Sequence, residues 1–237
     1  MKTPLPDSSN WRELLAQRES PEHFVVEGQL AVERLIASDY HVKHVFRIGE
    51  NLTREEASEI LGYKFHRGYL AIARKPKPVE LSEFSSAPLV VLPEIADPGN
   101  LGTIIRNTAA LGGSGVIIGK GASPYNAKAI RASAGTLFKL PVRKSDHILD
   151  DLKQLSNFRT IVGTSLSPES VPFSKIPPLD KPCCLLFGPE DFGLTPVIEN
   201  LCHQLTYLPM ANEIDSLNVA SASAIFLHRI KDLTAAQ

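Results

Sequence analysis

The chain has 237 residues, 43% of them hydrophobic, and a formal net charge of -1. That is enough to bury a full core, as one large domain or a small one joined to a medium one. The charge gives no global reason to bind a polyanion, so any such partner must be met by a local patch. No apolar run approaches the roughly 20 residues of a membrane span, and the first residues are polar, without the apolar stretch of a signal peptide. A cytoplasmic protein with no membrane partner is therefore expected. Three cysteines, with Cys183 and Cys184 adjacent, fit buried small hydrophobes better than a disulfide framework. The seven histidines are scattered, so a metal site has no support in ligand spacing and none is expected.

In chain order, residues 1–20 read as polar and frayed. A strand over 24–28 ends in the Gly28 turn, followed by a helix over 29–37, a strand over 41–47, a charged helix over 53–61 and a strand over 69–73. Together they make a small mixed N-terminal unit. The prolines of Arg74-Lys-Pro-Lys-Pro78 and the stretch to Pro88 read as a linker, which places two domains over 1–80 and 81–237. Beyond Pro88 the pattern becomes strand, glycine, helix. Short apolar strands are expected over 89–92, 115–118, 159–163, 183–187 and 205–208, with helices over 101–111, 126–134, 147–155, 196–202 and 218–231. Continuous apolar strands separated by helices imply an α/β fold with a mostly parallel sheet covered on both faces. Ligands of such sheets sit at the carboxyl ends of the strands.

Three unusual segments follow apolar strands and are expected to converge on one pocket. In Asp97-Pro-Gly-Asn-Leu-Gly102, Pro98-Gly99 makes a turn, Asn100 can cap the next helix, and Gly102 permits close approach of another backbone or a ligand. Arg106 interrupts an otherwise apolar helix. Helical side chains lean toward the N-terminus, so its guanidinium would reach toward the loop and grip a phosphate or carboxylate; an ordinary surface arginine is the competing reading. Gly188-Pro-Glu-Asp-Phe-Gly193 lets backbone groups face a ligand, with Glu190 as the charge between the glycines, although such loops are also ordinary turns. It lacks the spacing of a P-loop or a dinucleotide fingerprint. Leu208-Pro-Met-Ala-Asn-Glu-Ile-Asp-Ser-Leu-Asn-Val219 brings Ser216 and Asn218 to the start of an alanine-rich helix. Ser216 can be a helix cap, and the small residues let that helix pack closely on another backbone, within the fold or across a subunit interface.

Charge is distributed unevenly. From Pro98 to Ser145, 48 residues contain no Asp or Glu, where the chain average gives about five. The same span carries Arg106, Lys120, Lys128, Arg131, Lys139, Arg143 and Lys144. Such a run is often only a solvated face, but here it favours a nucleic-acid partner.

Together these segments resemble the SpoU family of RNA ribose 2′-O-methyltransferases, TrmH-like members of the SPOUT class. Asn100-Leu-Gly102, Arg106 and Ala109 match the first motif. Gly188, Glu190 and Gly193-Leu194 match the second, and Leu208-Pro-Met210 with Ser216-Leu-Asn218-Val219 the third. Ser123-Pro-Tyr-Asn-Ala-Lys128, Ile130-Arg-Ala-Ser-Ala-Gly135 and Leu137-Phe138 match further, and His66-Arg-Gly68 resembles the segment closing the family's N-terminal substrate-binding domain. The resemblance implies a C-terminal trefoil knot, an exception to unknotted topology, and a homodimer with active sites at its interface. It implies S-adenosylmethionine in the knot, held at Thr164, Gly188, Leu208, Met210 and Leu217. Asn100, Arg106, Glu190, Ser216 and Asn218 are its implied catalytic residues, and Lys128 and Arg131 its RNA contacts. The implied reaction is methyl transfer to a ribose 2′-hydroxyl of a structured RNA, ribosomal before transfer RNA. A guanidinium is effectively always protonated, which favours Arg106 as a phosphate clamp and oxyanion stabiliser over a free base. The alternatives are a catalytically silent RNA-binding or assembly factor, and a small-molecule α/β enzyme that would leave the acid-free span unused. The chain departs from the family pattern at Asn212, where glycine is usual, at Pro189-Glu190-Asp191, and at Asp215, which adds a charge beside Ser216.

Overall fold

A computed structural model describes residues 10–189, 191–212 and 216–234 of the chain. It begins with a helix the sequence reading did not anticipate: α1 spans Trp11–Gln17, where a frayed terminus was expected. Trp11 and Leu15 lie four residues apart, one above the other on a helix face, and both are buried, with the Trp11 ring 5.0 Å from that of Phe46. Two apolar anchors at that spacing outweigh the polar residues around them.

The elements β1 (His23–Glu27), α2 (Gln29–Ile36), β2 (Val42–Arg47), α3 (Arg54–Leu61) and β3 (Tyr69–Arg74) follow. Gly28 makes the turn into α2 at φ 94°, a conformation that favours glycine. A capping box starts α3: the Glu56 N–H donates to the Thr53 hydroxyl and the Thr53 N–H to the Glu56 carboxylate. The three strands form an antiparallel sheet in the order β1-β3-β2. Alternation puts Val25, Leu70 and Ile72 against α1 and α3, while Phe24, Val26, Ala71 and Ala73 enter the main core.

The segment expected to be a linker is packed. Leu81 and Phe84, one helical turn apart in the short 3₁₀ stretch Leu81–Glu83 and its C-cap, are buried among Leu89, Val91 and Ile117. The apolar pair at 81 and 84 decides the outcome, and the neighbouring prolines do not.

The remaining elements are β4 (Leu89–Ile95), α4 (Pro98–Ala110), β5 (Gly115–Gly121), α5 (Ala127–Ala132), β6 (Val142–Lys144), α6 (Ile148–Ser156), β7 (Thr160–Thr164), β8 (Val171–Pro172), β9 (Cys183–Leu186), α7 (Pro196–Glu199), β10 (Gln204–Tyr207) and α8 (Val219–Thr234). The seven strands form one sheet in the order β6-β5-β4-β9-β7-β10-β8, and every pairing in it is parallel. The expected parallel α/β sheet is therefore present, with two edge strands, β6 and β8, of three and two residues, too short to show an apolar run. Its faces are covered separately. Val90, Leu92, Val116, Ile118 and Leu185 pack with α4, α5 and α8, whereas Val91, Ile117, Ile161 and Leu186 pack with α6 and α7. Cys183 and Cys184 fall on opposite faces, buried and unpaired, and burial pushes the Cys184 thiol up to about 12. No described helix is long and apolar enough to cross a membrane.

Arg159 just before β7 is 2% exposed. Its guanidinium has no acidic partner among the described residues and instead donates to the carbonyls of Phe84, Ser85, Ala87 and Cys183, tying the 81–88 strap to the sheet. Burial lowers its pKa from the usual arginine value, and the backbone carbonyls take the place of a counter-ion. Arg159→Met keeps the length but leaves those carbonyls without donors, each costing about 1–3 kcal/mol where water cannot reach. The variant is expected to unfold about 3 kcal/mol more easily, read as a lower urea midpoint at unchanged slope; an unmoved midpoint would show that the strap is held by Leu81 and Phe84 alone.

Candidate active site

In sheet order β9, β7 and β10 are adjacent, and the chain leaves their carboxyl ends into one cavity of about 590 Å³. Thr164 ends β7 and Ser165 to Ser167 follow it, Phe187 to Pro189 and Asp191 to Leu194 follow β9, and Tyr207 ends β10, with Leu208 and Met210 beyond it. Ser216, Leu217, Val219, Ala222 and Phe226 close it from the start of α8. The volume lies in the range of small-molecule and cofactor sites. Apolar side chains dominate the wall, with Ser165, Asp191 and Glu199 as polar points. Ser165 donates its hydroxyl hydrogen to Glu199, and the Thr164 hydroxyl to the Leu186 carbonyl at 3.0 Å. Thr164, Gly188, Leu208, Met210 and Leu217, the cofactor residues implied by the resemblance, all line this cavity, and so does Ser216. Ser165, Glu199, Phe187 and Phe226 were not singled out. They belong to no glycine-rich or amide-rich motif, and only their distance from a strand end could have pointed to them.

Two glycine-dependent contacts shape the site. A Cβ on Gly188 would overlap the backbone of Gly193 and Leu194, so the 188–194 loop can fold back on itself only with glycine there. A Cβ on Gly102 would overlap the Ala129 carbonyl, which makes the expected close approach at Gly102 a helix-to-helix contact of α4 with α5.

The first motif does not line the cavity. It is joined to the rim: the Asn218 amide donates to Asn100 Oδ1 at 3.0 Å. Two turns further along α4, Asn107 donates to the Ala220 carbonyl at 2.8 Å and the Ser223 hydroxyl at 3.1 Å. Asn100 and Asn107, seven residues apart, occupy one helix face, and α8 lies on it with Ala220 and Ser223 buried. The small residues of α8 thus serve packing within the fold. Two capping assignments are corrected. Asp97 caps α4, accepting from the Asn100 N–H at 2.8 Å, because an aspartate just before Pro98 reaches the first free N–H groups. Asn218 caps α8, accepting from the Ala220 N–H at 2.9 Å, so Ser216 is left facing the cavity. Lys128 bonds the other Asp97 oxygen at 2.5 Å. That bond, then the Asn100 N–H, holds the Asp97 carboxyl below its usual range.

Arg106 is exposed, with no ion pair among the described residues and no place in the cavity wall. Glu190 and Asp215 lie outside the described residues. The acid-free span is partly neutralised from outside itself. Lys128 pairs with Asp97, Arg131 with Glu27 at 3.5 Å, and Arg143 with Asp151 at 3.1 Å. Arg106, Lys120, Lys139 and Lys144 are exposed and make no ion pair among the described residues.

A profile described as the SpoU rRNA Methylase family matches residues 87–228. The chain belongs to that family. It is 30% identical to a 23S rRNA (guanosine-2′-O-)-methyltransferase of Acinetobacter baylyi, over 76% of each chain, and 26% identical to a 23S rRNA (guanosine(2553)-2′-O)-methyltransferase of Bacillus subtilis, over 94% of each. Among solved structures, an AdoMet-bound rRNA methyltransferase from Sinorhizobium meliloti superposes with a TM-score of 0.83 at 24% identity, covering 97% of each chain. The SpoU methyltransferase AviRb of Streptomyces viridochromogenes, in complex with AdoMet, superposes at 0.75 and 22% identity, covering 93% of this chain and 96% of its own. Both share this fold.

The departure from the SpoU pattern at Asn212 has a conformational account. Asn212 adopts φ 57°, the left-handed region that asparagine enters more readily than other non-glycine residues. Asn212→Gly is therefore expected to leave S-adenosylmethionine affinity within about twofold of the parent. Gly188→Ala, which forces the loop off the cavity wall, is expected to weaken it by at least about tenfold, roughly 1.4 kcal/mol. Isothermal titration on both variants checks this, and parent-like affinity in Gly188→Ala would show that the loop does not form the site.

Proposed function

We propose that this SpoU-family chain transfers a methyl group from S-adenosylmethionine to a ribose 2′-hydroxyl of a structured RNA, ribosomal RNA before transfer RNA. One observation carries the reading: Thr164, Gly188, Leu208, Met210 and Leu217 line a single cavity at the carboxyl ends of three adjacent parallel strands. The cavity suits the cofactor, being large enough, largely apolar, and bordered by a loop whose backbone approach requires Gly188. Ser165 and Glu199 add a hydroxyl and a carboxylate suited to a cofactor's sugar hydroxyls. When bound, S-adenosylmethionine supplies an electrophilic sulfonium methyl.

The chain's own tasks are to hold the cofactor, exclude water and present the ribose, and positioning of this kind supplies much of the rate of a displacement. Asn100 and Asn218 fix each other at the rim. Ser216 faces the cavity, and Glu190 completes the motif. Arg106, exposed and free of ion pairs among the described residues, grips the RNA phosphate and steadies the developing 2′-oxyanion. It stands outside its own cavity wall, which favours a homodimer with each site completed at the interface. Lys128 and Arg131 extend the RNA contact along α5. The three-stranded unit within 1–80 selects the RNA, and 81–237 carries catalysis. The placement of β9 between β4 and β7, with α8 docked on α4, supports a trefoil knot in the last segment. A ribosomal RNA substrate is compatible with a cytoplasmic enzyme.

The test is incubation with methyl-labelled S-adenosylmethionine and an unmodified 23S rRNA transcript, followed by alkaline hydrolysis. An alkali-resistant labelled dinucleotide is expected, since a 2′-O-methyl group blocks cleavage there; label on a base overturns the reaction. Arg106→Ala is expected to lose at least about 100-fold in rate, the scale of removing one oxyanion donor, while still binding the cofactor. Full activity in that variant removes both roles given to Arg106. A parent chain that binds RNA but no cofactor is the silent RNA-binding protein instead.

A further inference from the structure

Glu27 ends β1 with its side chain 1% exposed. One carboxylate oxygen, Oε2, accepts from Arg67 at 2.9 Å and from Arg131 at 3.5 Å. The other, Oε1, is enclosed and accepts no hydrogen bond among the described residues. Arg67 lies in the His66-Arg-Gly68 segment before β3 and Arg131 in the last turn of α5, so one buried acid gathers an arginine from each side of the seam between the two sheets. Tyr63 also faces the acid, and its hydroxyl is pushed up to about 12, by burial first and then by Glu27, so it stays neutral.

A simple staple across this seam needs one cation for one anion. Here two guanidinium groups share one carboxylate and leave a surplus positive charge. The buried member is the anion, while the arginine side chains remain 41% and 39% exposed. Each guanidinium has five N–H donors and gives Glu27 only one, so outward-facing donors remain on both. Because both bond the same oxygen, the two groups sit close enough to share a single phosphate, whose recognition by arginine is bidentate and charge-assisted.

The contacts continue toward the site. Lys128 lies three residues before Arg131 and therefore on the same face of α5. It bonds Asp97, which caps α4 at Asn100, and Asn100 holds Asn218. A cationic track thus runs from the antiparallel sheet along α5 to the cavity rim.

We propose that Arg67 and Arg131, held by Glu27, form a phosphate clamp for the RNA backbone at the seam between the N-terminal unit and the methylase domain. Glu27 is a positioning residue that touches no RNA. The inference rests on the RNA reading above and adds to it a place where the strand crosses from one unit to the other.

Filter binding of an unmodified 23S rRNA transcript across a salt series tests it. Arg67→Ala and Arg131→Ala are each expected to weaken binding several-fold and to flatten the salt slope by about one phosphate contact. Arg67→Lys is expected to restore the slope, because the charge returns, with only part of the affinity, because the fork does not. Glu27→Gln is expected to keep the slope but lower the affinity, as two charged but unheld arginines would. If both alanine variants melt at lower temperature while slope and affinity stay at parent values, the cluster is only a staple and the clamp is overturned. If the parent itself shows no salt-dependent binding, the RNA reading fails, and that outcome is distinct from failure of the clamp.

Discussion

The site depends on how closely α8 can lie on α4. Two asparagines seven residues apart on α4 meet the beginning of α8, one through the Asn218 side chain and one through the Ala220 carbonyl and the Ser223 hydroxyl. A larger residue than alanine or serine on that face would hold the helices apart, and the segment before α8 would no longer lie over the ends of β9, β7 and β10. The close approach also explains why the two residues that meet α8, Asn100 and Asn107, carry amides. An amide can donate and accept in a narrow seam at no charge-burial cost, whereas a carboxylate there would have to be paired or pay desolvation. The same helix meets α5 at Gly102. One helix therefore fixes the cavity's far wall, the first motif and the cationic face of α5 relative to one another.

The N-terminal unit is fixed by the same core. Phe24, Val26, Val32, Leu35 and Ala71 are buried in one cluster with Leu101, Ile130, Leu137 and Phe138, and Arg34 donates to the Ala134 carbonyl at 2.5 Å. A sheet buried on both faces cannot swing free without exposing one of them, at about 25 cal/mol for each Å² of apolar surface returned to water. The strap over 81–88 is held as well, by Leu81, Phe84 and the carbonyls that Arg159 bonds. The two sheets are thus held at one separation, which suits the proposed reading of an RNA by its shape.

What the sequence made legible follows from what a local signal can carry. The central strands announced themselves as apolar runs because they are buried on both faces, and the cavity residues through the resemblance of three strand-end segments to the SpoU motifs. β6 and β8 were hidden since three residues with two cations, or two with a proline, leave no pattern. α1 and the strap were misread for the opposite reason: polar or proline-rich surroundings masked a single pair of apolar anchors in each. Pairings across long stretches left no trace at all. Arg131 looked like a free cation because its partner Glu27 stands 104 residues earlier, and Asn100 looked like a cap because its partner Asn218 stands 118 residues later. The acid-free span was a true feature of the sequence and an incomplete guide to the surface, since acids from elsewhere answer three of its seven cations.

Two departures from the family pattern, at Pro189 and Asn212, bear on the cofactor loops, and backbone geometry limits their effect. Asn212 holds φ 57°, so the turn after β10 keeps the shape that glycine would give it, with an amide added. Pro189 begins the loop after Gly188, and its carbonyl accepts from the Gly193 N–H at 2.9 Å while Gly193 takes φ 66°. Proline fixes its own φ near -65° and removes freedom the loop would otherwise lose on closing. A bulkier first residue is tolerable here because the tight contact is made by Gly188 and not by its successor. The substitution that would open the cavity is therefore at the glycine the chain has kept, whereas at Asn212 and Pro189, where it has diverged, the backbone already fits the residue present.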